Sequence, residues 1–351
     1  MVTKNSIIHS EFLMIDESKY ICLVQGGHDI QGGMFKYLES WVHERTKSGF
    51  KVVIVAIPEV CALLSESVHF TFNLPYSGED SARHTYIKFL KGYYNSDLRA
   101  IHDELDEMKI SSIHFTDETI YFPFLRNLFI GNKLITIHDP IYHPGQFNSI
   151  YTLLASYFCR LSYLVTPNLI LHFHGSRGLG RNLIFKIKDK VFIKHPLPKT
   201  KYKKYNKNNI PILSFMGRIE EYKGLELFIK SLRLFQERDK RVVSILIVGS
   251  GDFDSNILNG LKFDINLVNK FVEADFFEKK ISCIDVLVLP YLSGTQSGVG
   301  YLAKSYNKKI ICTDVGNLPD LIDTDDDGYV VEPTEESISD AIVRVLNDIE
   351  K

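Results

Sequence analysis

The feature that most limits what this chain can become is a strict alternation of short apolar runs with segments of helical period. YICLVQ (20–25) meets a glycine-rich turn, GGHDIQGG (26–33). Met34, Tyr37, Leu38, Trp41 and Val42 then recur at helical spacing, and FKVVIVAI (50–57) follows. This is a β–loop–α–β unit. Further strand candidates are SIHF (112–115), KLITIH (133–138), LILHFH (169–174) and KVFIKH (190–195). A second series runs through ILSFMG (212–217), SILIVG (244–249), LVNKFV (267–272), IDVLVLP (284–290), KIICT (309–313) and GYVVEP (328–333). Leu225, Phe228, Ile229, Leu232 and Phe235 mark one apolar helix face within it, and ESISDAIVRVLNDIE (336–350) reads as a further helix. Two alternating blocks imply an α/β fold of two doubly wound parallel sheets, with ligands at the carboxyl ends of the strands. The 351 residues suit two domains. PLPKTKYKKYNKNNIP (196–211) is proline-bounded, rich in Lys and Asn, and lacks an apolar period. It reads as a solvated linker over 199–210, between a first domain at 1–198 and a second at 211–351.

A net charge of −2 gives no reason to expect nucleic-acid binding. The five cysteines (Cys22, Cys61, Cys159, Cys283, Cys312) are scattered and form no CxxC pair, so buried free thiols in a reducing compartment are expected. Cys283 and Cys312 fall in expected strands. No basic-then-apolar leader opens the sequence and no apolar run of about 18 residues occurs. The expectation is a cytoplasmic protein, at most peripheral on the cytoplasmic membrane.

Chemistry concentrates in a few stretches. In FMGRIEEYKGLELFIKSL (215–232) a strand ends at Gly217, Arg218 follows, and Lys223-Gly224 precedes an amphipathic helix. Glycine lets the backbone approach a ligand, and two cations beside a helix N-terminus hold a diphosphate without metal. Taken alone, the stretch reads equally well as a surface turn. GTQSGVGYLAKSYNKKIICTDVG (294–316) places a small-residue loop before a helix and carries no acid from 293 to 305. GGHDIQGG lacks GxGxxG spacing, so a dinucleotide fingerprint fails. DTDDDG (323–328) starts like an EF-hand loop, but its twelfth position is Thr334; it reads as a surface turn. All 12 histidines lie at or before 195, so imidazole chemistry belongs to the first domain.

The succession GRIEEYKGLELFIKSL, SILIVGSGDF, NKFV, IDVLVLPY, GTQSGV, KKIICTDVGNLPDLI and DGYVVEP resembles the C-terminal domain of glycosyltransferase family 4, the retaining GT-B enzymes, in a subgroup with a TQSGV donor loop. The resemblance is close over about 205–347. It is looser over 20–195, where it rests on the GG…QGG turn, ITIHDPIYHPG (135–145) and FHGSR (173–177). It implies two Rossmann-like domains facing across a cleft, the first on the acceptor side and the second binding a nucleotide-sugar. Gly217, Arg218, Lys223, Thr295, Gln296, Ser297, Gly298 and Val299 would then bind the donor. His138, Arg218 and Lys223 would be catalytic. Gly26, Gly27, Gly32, Gly33 and His174 would form the acceptor or phosphate loop, with Arg177 and His143 as weaker candidates. The sequence departs from the family in one respect: the two glutamates usual in the donor loop and helix are absent, their places falling near Gly294 and Leu302. Thr295, Gln296, Ser297 and backbone amides would take over their hydroxyl contacts.

The implied activity is retaining, metal-independent transfer of a hexosyl group from a UDP- or GDP-linked donor to a carbohydrate or lipid-linked saccharide, in cell-surface polysaccharide synthesis. No cofactor is implied; the nucleotide-sugar is a substrate. The alternatives are another GT-B enzyme, such as a nucleotide-sugar 2-epimerase, or a non-catalytic partner of a transferase.

Overall fold

The computed structural model describes residues 20–28, 30, 33–138, 150–175, 183–203 and 208–350. Gly32, His143 and Arg177 lie outside the described residues. The chain forms two units, Met1–Pro196 and Leu197–Lys351.

The first unit is built on β1 (Tyr20–Val24), α1 (Gly33–Lys47), β2 (Lys51–Ala56), α2 (Pro58–Leu64), β3 (Phe70–Asn73), α3 (Ala82–Leu90), α4 (Asn95–Glu107) and β4 (Ser112–Phe115). It continues through α5 (Phe122–Leu125), β5 (Asn132–Thr136), α6 (Ile150–Val165), β6 (Leu169–Phe173), α7 (Leu183–Ile187) and β7 (Lys190–Phe192). The sheet order is β3-β2-β1-β4-β5-β6-β7, and every neighbouring pair is parallel. Its central strands are buried on both faces, so Val52–Ile57 can be an unbroken apolar run. The sheet order reverses between β1 and β4, and their carboxyl ends open onto a crevice there. α1 buries Tyr37, Leu38, Trp41 and Val42 as its spacing requires. Strand β3 was not foreseen: FTFN is a short edge strand, exposed to intermediate along its length, and has no one-sided apolar pattern to betray it.

The second unit repeats the plan with β8 (Ile212–Met216), α8 (Leu225–Arg238), β9 (Ser244–Gly249), β10 (Asp264–Asn269), α9 (Ala274–Cys283), β11 (Val286–Leu289), α10 (Gly298–Ser305), β12 (Lys309–Thr313), β13 (Gly328–Val331) and α11 (Glu335–Glu350). Its order is β10-β9-β8-β11-β12-β13, again parallel throughout. The switch point here lies between β8 and β11. The expected face of α8 packs with Ile338, Ile342, Val345 and Leu346 of α11 in one apolar layer. A second layer, containing Tyr291, Tyr301, Ala303 and Leu318, covers the other side of the sheet.

Three local expectations change. Strand β10 begins at Asp264 and ends at Asn269, ahead of Lys270-Phe271. Cys283 closes α9 instead of lying in a strand, and is only half-buried; all five cysteines are free thiols. The Lys/Asn-rich stretch is not simply solvated. The Lys201 N–H donates to Glu278 Oε1 (2.9 Å), and Asn208 Nδ2 and the Ile212 N–H donate to Asp285 Oδ2 (2.8 Å each). Among its described residues, Lys201 and Asn208 thus bond within the second unit, to which the stretch belongs from Leu197 onward.

Candidate functional site

The second unit gathers its candidate residues at the β8–β11 switch point. The chain leaves β8 at Gly217 with φ +125°, a conformation that L side chains rarely adopt. A methyl group placed there would sit 3.8 Å from Val299 Cγ2 and 3.9 Å from Lys223 Nζ. The ammonium therefore lies over bare backbone, beside the start of α10. Gly224, at φ +72°, turns the chain from Lys223 into α8; a Cβ on it would come within 2.0 Å of Pro290 O. Only glycine lets the β11 exit and the Lys223 turn approach this closely.

Lys223 Nζ donates to Tyr291 Oη (2.9 Å) and stands 4.5 Å from the Tyr291 ring centroid. Tyr291 Oη also lies 3.0 Å from Ser297 Oγ, which accepts the Gly300 N–H (3.2 Å) as the N-cap of α10. A relay of polar contacts thus ties the Lys223 cation to the first turn of α10. In that turn the Gly298 and Val299 amides fall where a helix offers no internal acceptor. No acidic residue lies in the first turn, so the partial positive charge of the helix end is unopposed from within the helix. Arg218 is largely exposed and pairs with Glu220 (Nη1–Oε1 2.9 Å). Such a surface pair is worth about 0–1 kcal/mol, so an incoming anion can displace it at little cost.

The eight donor-loop candidates therefore take different positions. Gly217, Lys223, Ser297 and Val299 converge. Arg218 follows Gly217 but points to its own carboxylate. Ser297 is 3% exposed and its hydroxyl is already engaged as a cap. Thr295 and Gln296 are half-buried at the mouth of the loop, and Gly298 is exposed. Tyr291 was missed. Its signal was its place directly after IDVLVLP, the strand that borders the switch point.

In the first unit, Gly26 and Gly27 leave β1 beside the end of β4. Their amides donate to the two oxygens of Asp117 (3.0 and 2.7 Å), and Tyr76 Oη donates to the Gly26 carbonyl (2.8 Å). Asp117, 6% exposed, pins the loop and takes the amides that a phosphate would need. Gly33 instead opens α1. Next to them is a cavity of about 310 Å³, lined by groups that include His28, Asp117, Glu118, Tyr121, His138 and Cys159. The Glu118 carboxylate is held by Arg160 (Nε–Oε1 3.0 Å) and Tyr163 (3.2 Å). Burial raises the Cys159 thiol far above its usual range, which removes it as a nucleophile.

Behind this cavity His138 and His174 belong to a larger set. His114, His138, His172, His174 and His195 come from the ends of β4, β5, β6 and β7 and share one face of the sheet with Thr136. Ring centroids are 5.6 Å apart for His114–His172, 4.6 Å for His172–His174, 4.9 Å for His174–His195 and 5.8 Å for His138–His174. Tyr37 and Trp41 of α1 cover them.

Main-chain carbonyls fix the tautomers, because a carbonyl only accepts. His138 Nε2 donates to Thr116 O (2.8 Å), His174 Nδ1 to Ile193 O (3.0 Å) and His195 Nδ1 to Pro196 O (2.7 Å). Desolvation pushes His172 and His195 down to about 3, and holds His114 and His174 well below the ordinary imidazole value. These four are neutral at physiological pH. His174 Nε2 is buried with no hydrogen-bond partner among the described residues. Each histidine is visible in the sequence; their convergence was not, since it depends on strand register.

DTDDDG forms the turn before β13, where Asp327 Oδ2 accepts the Asp323 and Thr324 amides (2.9 Å each) and Asp323 pairs with Lys304 (2.8 Å).

Comparison with known proteins bears on this geometry. Residues 210–348 match the family model described as Glycosyl transferases group 1. Residues within the chain are 28% identical over 143 positions to an uncharacterized glycosyltransferase of Methanocaldococcus jannaschii, covering 39% of this chain and 36% of that protein. The match thus spans about a third of that relative's length. Among solved structures, sucrose-phosphate synthase from Thermosynechococcus elongatus superposes with a TM-score of 0.61 at 16% identity, covering 95% of this chain and 90% of that one. Anabaena HepE, in complex with UDP and glucose, superposes with a TM-score of 0.59 at 12% identity, covering 95% and 91%. The fold is GT-B, and the stretch that matches the family model lies within the second unit.

Proposed function

We propose that the chain is a glycosyltransferase that takes a UDP- or GDP-linked sugar in its second unit and transfers it, with retention, to a saccharide or lipid-linked saccharide held by the first. One observation carries the reading: Gly217, Lys223 and Val299 converge where β8, β11 and the start of α10 meet. Bare backbone, a tethered cation and helix-end amides there suit a diphosphate leaving group. The UDP-bound HepE neighbour supports a uridine nucleotide. Arg218 swings from Glu220 to the diphosphate, and Thr295 and Gln296 meet donor hydroxyls. His138 lines the cavity of the first unit, where it meets the transferred sugar. Protein cations and a helix end supply the charge that a metal would, so turnover is metal-independent.

The absence of acids from 293 to 305 favours a second reading, a nucleotide-sugar-binding partner without turnover. Nucleotide release from UDP- and GDP-sugars, with and without saccharide acceptors and with chelator, separates the readings. Acceptor-dependent release that survives EDTA is expected. Release of product without any acceptor would indicate the epimerase alternative. Binding without release would select the partner reading, and loss of release on chelation would overturn metal independence.

A further inference from the structure

Helix α6 meets the first unit through Ala155, Cys159, Arg160, Ser162 and Tyr163, all buried. Its opposite side presents Leu154, Tyr157, Phe158, Leu161, Leu164 and Val165, each between 42% and 68% exposed. The spacing i, i+3, i+4, i+7, i+10, i+11 makes this one continuous stripe along the helix. Six large apolar side chains in contact with water exceed the scattered exposure of an ordinary soluble surface and mark an interaction face.

Among the described residues near the C-terminal end of the stripe, three cations face one acid. The helix sequence, IYTLLASYFCRLSYLV, contains no Asp or Glu, and its one cation, Arg160, turns inward to Glu118. At its C-terminal end the Arg126 guanidinium donates to Val165 O (3.4 Å) and Lys188 Nζ to Thr166 O (3.0 Å). α7, which packs against α6, adds exposed Lys186 beside Ile187, itself 64% exposed. Asp189 follows Lys188 in that turn.

We propose that this face docks on an anionic lipid surface, with the stripe in the boundary between headgroups and acyl chains and Arg126, Lys186 and Lys188 on lipid phosphates. Length decides how it sits. Sixteen residues rise only about 24 Å, short of the ~30 Å hydrocarbon core, so the helix lies on the membrane and does not cross it. Charge decides between lipid and a second copy of the chain. Another copy of this face brings three cations, Arg126, Lys186 and Lys188, against the single carboxylate of Asp189, so like charges would meet, whereas anionic headgroups complement the basic end. Ser156 and Cys159 of the same helix line the cavity of the first unit, so docking would set that cavity beside the membrane.

The proposal is independent of sugar transfer, and its test contains no donor. The full chain is floated with vesicles of phosphatidylcholine, with and without phosphatidylglycerol, at low and high salt. Binding is expected to the anionic vesicles and to weaken with salt. Phe158→Ser with Leu161→Ser should reduce it at least about tenfold, and Lys186→Ala or Lys188→Ala about fivefold each. Circular dichroism and thermal unfolding should be unchanged, because the substituted apolar side chains touch water already. No binding by the wild type, or full binding by the double variant, would overturn the proposal. A wild-type dimer in sedimentation that the double variant converts to monomer would give the face to a second copy instead.

Discussion

Replacing Lys223 by methionine removes an ammonium while keeping most of its apolar stem. In the free protein that ammonium donates to Tyr291 Oη at 2.9 Å and lies over the Gly217 backbone. The substitution forfeits that hydrogen bond and the cation–π contacts with Tyr222 and Tyr291, each of the latter worth about 0.5–1 kcal/mol, so the fold should persist. Nucleotide binding loses more. A charge-assisted hydrogen bond to a diphosphate oxygen is worth about 1.5–3 kcal/mol, so Kd for UDP or GDP should rise about 10- to 150-fold in calorimetric titration. Tyr291→Phe tests the geometry behind this. Tyr291 does not itself need to touch nucleotide; it positions the ammonium, and since the freed ammonium can still reach a diphosphate oxygen, affinity should fall by no more than about tenfold, or about 1.4 kcal/mol. Because Tyr291 acts through Lys223, Tyr291→Phe should add little in the Lys223→Met background. Unchanged nucleotide affinity in Lys223→Met would refute the assignment of this site. Strict additivity of the two substitutions would leave Lys223 as a ligand but refute the positioning role.

Two further outcomes follow from the packing. Gly224→Ala forces a Cβ to within 2.0 Å of Pro290 O at φ +72°, and should destabilise the second unit by roughly 2–4 kcal/mol, read as a lower denaturation midpoint; a wild-type midpoint would show that the turn relaxes freely. His172 and His195, held near 3 by burial, bind fewer protons folded than unfolded, where imidazole titrates near 6.5. Their stabilisation is complete above about pH 6.5 and is lost as pH falls toward 3. Between pH 6 and 5 the slope from these two alone is on the order of 2–3 kcal/mol per pH unit, and a denaturation midpoint of the first unit that is flat from pH 8 to 5 would contradict the buried neutral cluster.

What the sequence determined by itself is what depends on neighbours within about one turn or strand. The two-block alternation set two parallel sheets. The apolar period fixed the buried faces of α1 and α8, and Gly217, Lys223 and Gly224 marked the turn that brings a cation to a strand end. These are local properties, because helical period and strand burial are written over a few consecutive residues. FTFN escaped because an edge strand has no such pattern, and Cys283 was misplaced because a short apolar stretch does not distinguish a helix end from a strand.

Tertiary structure decided the rest. Asp117 takes the amides of Gly26 and Gly27 across about 90 residues, a partner that the loop's own sequence does not announce. Tyr291 reaches Lys223 across 68 residues and ties it to the cap of α10. The five histidines meet only because β4, β5, β6 and β7 pair in parallel, with Thr136 opposite His172, so that successive strand ends project to one face. A shift of one residue in any pairing would send an imidazole to the other side of the sheet. Register is fixed by the whole packed sheet, not by any stretch of the chain, and so these contacts had no local signature to read.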